Sequence, residues 1–137
     1  MKTDQSGQVT VLVLGLALVT FAVAGLAVDG TRAFLLRRTL QNAADSSALA
    51  AAGELDRRGY YAGSGHETEL DPGRARVMAV RWLTTRGIKA GFTIGAEPEG
   101  VRVRLRSRMP TSFLGLVGIR SVTVAVEAVA EPLAGAP

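Results

Sequence analysis

The chain has 137 residues, a formal net charge of +4 and no cysteine. The absent thiols exclude disulfides, thiolate metal sites and cysteine nucleophiles. The basic balance permits attraction to anionic lipid, acidic polymer or nucleic acid, although a solvated arginine-rich surface is the plainer account of it.

Residues 1–8 form a short N-terminal tail. From Val9 to Val28 the chain then carries no charged side chain. About 20 residues at ~1.5 Å each cover the ~30 Å hydrocarbon core of a bilayer, so residues 9–28 are expected to cross a membrane as a helix. A cleaved secretory signal is the competing account, with Ala22-Val23-Ala24 as its cut site. The apolar run is too long for such a signal and continues past that point, which favours an uncleaved anchor. Inside the span, Ala17, Thr20, Ala24 and Ala27 recur at helical spacing, and Gly15 and Gly25 add places where another backbone could approach. Small residues permit close van der Waals packing between helices in lipid. Alanine and glycine are also common in any span of an alanine-rich chain, and no strict GxxxG is present.

Asp29 ends the apolar run, and Asp29 and Arg32 are spaced to form an exposed i,i+3 pair worth a few tenths of a kcal/mol. Residues 29–55 are expected to continue the helix into water. Leu36, Leu40, Ala43, Ala44, Ser47, Ala48, Ala51 and Leu55 form its apolar stripe. Arg37, Arg38, Gln41, Asn42, Asp45 and Ser46 take the other side. Residues 56–71 read as a glycine-rich exposed loop that includes Leu70.

The remaining segment, 72–132, is expected to be a small head, followed by a 133–137 tail. Asp71-Pro72 signals a helix start, with Asp as N-cap and Pro at the first helical position. That helix should run to Arg86 and stop at Gly87. Trp82 is expected in the core or at an interface. Phe92–Ala96 is a candidate strand and Glu97-Pro98-Glu99-Gly100 a turn. Val101–Met109 alternates, with Val101, Val103, Leu105 and Met109 on one face and Arg102, Arg104, Arg106 and Arg108 on the other. Thr111–Gly118 reads as a short apolar turn or helix. Ser121–Ala130 is a second alternating strand. The predicted class is α+β: a long transmembrane helix continuing into a soluble amphipathic helix, then one helix on a mainly antiparallel sheet.

The four arginines recur about every 7 Å along one strand face, close to the spacing of phosphates along a nucleic-acid strand. Without interleaved aromatic side chains, the wet face of a half-buried strand is the preferred account, and nucleic acid the less favoured contact. His66, beside Glu67 and Glu69, is the sole histidine in the sequence, which leaves no second nitrogen or sulfur ligand for a metal and no triad on a Gly-x-Ser-x-Gly turn. No P-loop or GxGxxG occurs. No catalytic, cofactor or metal residues are assigned, and the chain is not expected to be an enzyme.

Gly7-Gln8-Val9-Thr10, Leu26-Ala27-Val28-Asp29, and above all Leu40-Gln41-Asn42-Ala43-Ala44-Asp45 followed by an alanine run, resemble the TadE/TadG-like family of tight-adherence (Flp) pilus assembly proteins. The resemblance covers roughly residues 6–55. It implies a minor-pilin or pseudopilin-like membrane protein with a pilin-like α+β head. It also implies a cytoplasmic N-terminus, an extracytoplasmic head, and partners among other pilin-like or pilus assembly proteins, with homo-oligomers left open. Arg32, Arg37 and Arg38 after the span, taken alone, argue for the opposite orientation. The resemblance further suggests prepilin-type processing between Gly7 and Gln8. The glutamate that prepilins carry five residues after the cut is Leu12 here, so an anchored TadG-like accessory protein fits better than a major pilin. A second class of function is a membrane-tethered domain facing the cytoplasm that uses the arginine face on anionic lipid or nucleic acid.

Overall fold

A computed structural model describes residues 6–54 and 70–132. Among the described residues the elements are α1 (Ser6–Ala52), α2 (Pro72–Thr85), β1 (Gly91–Glu97), β2 (Gly100–Pro110) and β3 (Ser121–Ala130), in that order, with a 3-10 turn at Leu114–Val117 before β3. The fold is α+β. The described residues divide into two compact units: residues up to Phe34 with Met109–Val122, and Leu35–Arg108 with the chain from Thr123 onward.

Helix α1 is a single 47-residue element. Asp29 and Gly30 do not interrupt it, because neither removes a backbone donor and one glycine costs a helix only about 1 kcal/mol. Residue type changes its environment along its length. From Gly7 to Ala24 every side chain is exposed, and the apolar stretch has a mean hydropathy of 2.7. From Leu40 onward the three-and-four spacing of small residues produces a buried face.

In the second unit that face meets α2 and the sheet. Leu40, Ala43, Ala44, Ala48 and Ala51 share one core with Ala75, Ala79 and Leu83 of α2 and with the inward residues of β2 and β3. Alanine dominates both helical contributions, and a short side chain lets a helix axis approach its neighbour closely. The stripe expected from the sequence is therefore the buried one, with Leu36 at its partly buried edge and Leu55 outside the described residues.

Helix α2 starts as its sequence dictates. The Asp71 carboxylate accepts a hydrogen bond from the Arg74 N–H at 3.0 Å, and Pro72 occupies the first helical position. The helix ends at Thr85, with Arg86 as its C-cap and Gly87 at φ +63°, a conformation that glycine adopts without a Cβ penalty. Trp82 packs half-buried against the core, and the Arg86 guanidinium lies 4.2 Å from its ring centroid.

The sheet is antiparallel with order β1-β2-β3. Gly91 pairs with Arg106 and Glu97 with Gly100, so Pro98-Glu99 forms the hairpin turn. Val101, Val103 and Leu105 are buried while Arg102, Arg104, Arg106 and Arg108 are exposed, and Val124, Val126 and Ala128 repeat the alternation on β3. Leu70 departs from the exposed loop expected of it. It is buried in the core, and its N–H donates to the Pro98 carbonyl at 3.1 Å. A leucine beside an N-cap can fold back under its helix, and chain position alone does not reveal this. Tyr60–Glu69, including His66, lies outside the described residues.

Candidate functional site

The first unit contains the apolar half of α1 and the loop between β2 and β3. Its organising residue is Asp29, one helical step past the apolar run and 1% exposed. One carboxylate oxygen accepts the Ser112 N–H at 2.9 Å. The other accepts the N–H groups of Phe113 and Leu114, each at 2.8 Å. These donors open the Leu114–Val117 turn, which has no side-chain cap of its own. Asp29 therefore caps a turn that lies far away in sequence, and the carboxylate charge suits the exposed N–H groups at a helical start.

The expected Asp29–Arg32 pair forms, but its carboxylate is buried and not exposed. Arg32 Nη1 stands 3.8 Å from Asp29 Oδ1, and its closer contact is a 2.8 Å donation to Ser112 Oγ. Sequence reasoning missed the role because the partner is contributed by a loop more than eighty positions away. The available signal was an acidic residue set directly against an apolar span, where an unpaired charge is costly.

The candidate helix-packing residues fall into two environments. Gly25 is covered from within the chain: a Cβ built there would lie 2.5 Å from Phe113 Cβ, so glycine is what lets the ring sit against α1. Ala17, Thr20 and Ala24 are exposed and line a shallow apolar depression with Leu16 and Phe21. Thr20 donates to the Leu16 carbonyl at 2.9 Å, which satisfies its hydroxyl inside the helix. Gly15 has nothing within 4 Å of its Cβ position, and Ala27 is exposed. Gly7 and Gln8 sit in the first turn of α1, both exposed.

In the second unit, the Leu40–Asp45 motif is split by the helix geometry. Leu40, Ala43 and Ala44 are buried, while Asn42 and Asp45 face outward. Gln41 joins the two sides of this arrangement. Its Nε2 donates to Asp45 Oδ1 at 2.9 Å and to the Glu127 backbone carbonyl of β3 at 3.2 Å. The motif thus combines a close-packing alanine pair with an amide that ties α1 to the sheet.

The arginine face is partly neutralised. Arg102 Nη1 meets Glu127 Oε1 at 3.0 Å, and Arg104 Nε meets Glu127 Oε2 at 2.5 Å. The hydrogen bond from Arg104 is the main influence holding the Glu127 carboxyl below its ordinary pKa; partial burial opposes this, and the charges of Arg104 and Arg102 reinforce it. One carboxylate shared by two of the four arginines weakens the case for a polyanion track, because those two guanidiniums already have a partner.

Among the described residues one helix is long and apolar enough to cross a membrane, and with the small α+β head it fits the class of single-pass membrane proteins. Part of the chain is similar to one protein family. Residues 7–54 match the family model described as "Putative Flp pilus-assembly TadE/G-like". The matched segment coincides with α1 almost end to end. Nothing among curated proteins or solved structures matches the chain.

Proposed function

We propose that this protein is a non-enzymatic, single-span component of a bacterial tight-adherence pilus assembly system, of the minor-pilin or pseudopilin kind. The observation that carries this reading is the family match over residues 7–54, which takes in both the span and the Leu40–Asp45 motif. The exposed small residues Ala17, Thr20 and Ala24 offer a face for other pilin-like helices in lipid, where close packing replaces hydrophobic drive. The head contacts partner heads or the cell envelope. The amino terminus lies in the cytoplasm and the head outside it, against the arginine count after the span.

The test is protease treatment of intact, wall-stripped cells carrying a C-terminal epitope tag. Digestion of the tag is expected, and a tag that survives until the membrane is lysed overturns the orientation. In the same cells, deletion of the gene is expected to abolish or shorten the pili; unchanged pili overturn the assembly role.

A further inference from the structure

The loop that Asp29 holds has a composition its position in a water-exposed head would not favour. Phe113, Leu116, Val117 and Ile119 are all exposed, Leu116 at 83% and Val117 at 74%. Leu116 and Val117 line, together with Leu18, Phe21 and Leu26 of the apolar run, a groove of about 550 Å³ with almost wholly apolar walls. Leu18 lies eleven residues before Asp29, or roughly 16 Å along the helix at ~1.5 Å per residue. That distance is close to half of the ~30 Å hydrocarbon core.

Most backbone N–H groups of the same loop are satisfied from within. Asp29 takes three consecutive N–H groups. The Thr111 N–H donates to the Arg120 carbonyl, Leu116 to Phe113, Gly118 to Gly115 and Ile119 to Leu114, at 3.0–3.2 Å. The Thr111 hydroxyl donates to the Ile119 carbonyl. A loop in water has little need of so many internal bonds, whereas in hydrocarbon each unmet polar group costs several kcal/mol. Apolar side chains facing outward and polar groups turned inward are what lipid demands of non-helical backbone.

We infer that the Thr111–Ile119 loop is a membrane wedge: it enters the leaflet adjoining Asp29 beside the span, and acyl chains fill the groove it forms with α1. The span provides the argument for lipid over other occupants, since the groove wall is the same apolar surface that the bilayer already covers. Asp29, Arg32 and Ser112 make a polar layer at the wedge's base, at headgroup level. The wedge rests on the span and is independent of the pilus assignment.

The experiment uses the full chain in phosphatidylcholine–phosphatidylglycerol vesicles. The natural absence of cysteine allows nitroxide labelling of single variants at Leu116→Cys, Leu14→Cys and Arg106→Cys, all at exposed positions. Spin relaxation by oxygen and by a water-soluble nickel chelate reports depth. Leu116 and Leu14 labels are expected to favour oxygen several-fold over nickel, with Arg106 the reverse. A Leu116 label that behaves like Arg106 while Leu14 stays lipidic overturns the wedge alone. Water-like values at both Leu116 and Leu14 overturn the span with it. A Leu116 label shielded from both reagents shows that another polypeptide, such as a second copy of this chain, covers the groove, and overturns acyl chains as the occupant.

Discussion

Asp29 holds its loop by geometry that single substitutions can dissect. Replacing it with alanine removes the acceptor of three N–H donors. Asp29→Ala is expected to speed hydrogen exchange at Ser112, Phe113 and Leu114 by roughly tenfold or more, with little effect on the amides of β1. Gly25→Ala should act on the same loop by a different route, because its methyl would overlap Phe113, whereas Gly15→Ala meets nothing within the chain. Exchange at Phe113 is the readout, and equal effects from the two alanines would refute the close-approach role of Gly25. Glu127 gives the pH dependence of the second unit. Its carboxyl is held below the ordinary value in the folded state, so its contribution is present above the unfolded pKa and fades as pH falls through the folded one. Acid titration of stability should therefore show a loss below about pH 4.5 that Glu127→Gln lacks.

At the level of elements, the head depends on small side chains at contacts between helix and sheet. Ala44, Ala48, Ala51, Ala75 and Ala79 are all fully buried. Enlarging one of them forces the layers apart, and Ala48→Leu is expected to destabilise by about 1–3 kcal/mol. The opposite change, Leu83→Ala, leaves a cavity beneath α2 and should cost about 2–5 kcal/mol. Both can be followed by urea denaturation in mild detergent through the fluorescence of Trp82, which packs against the same core. Most of this architecture was legible beforehand. Period-two alternation in Val101–Met109 and Ser121–Ala130 and the Leu36–Ala51 stripe each depend on local geometry alone, so sequence spacing is enough to read them. Leu70 was not legible, because its burial depends on where the chain folds back and not on any repeat.

For the whole molecule, the governing feature is one unbroken helix that changes environment along its length, apolar and exposed over Gly7–Ala24 and core-facing from Leu40. An anchored chain of this kind should resist extraction by alkaline carbonate and yield to detergent. Peptides spanning Ala22–Val28 should be recovered intact from the membrane fraction by mass spectrometry. Release into the aqueous phase with a new terminus at Gly25 would instead identify a cleaved signal.

By itself the sequence determined the long apolar helix, the helical stripe, the strand faces and the family resemblance, since all of these are periodic or contiguous and need no knowledge of distant neighbours. Only the tertiary structure decided what Asp29, Gly25 and Glu127 do. Each acts on a partner remote in the chain — a turn without its own cap, a phenylalanine ring, a pair of arginines on the adjacent strand — and such partners become neighbours only when β2 and β3 have been laid down. Local pattern fixes which face of an element is apolar. Which polar group meets which is settled by closure of the fold.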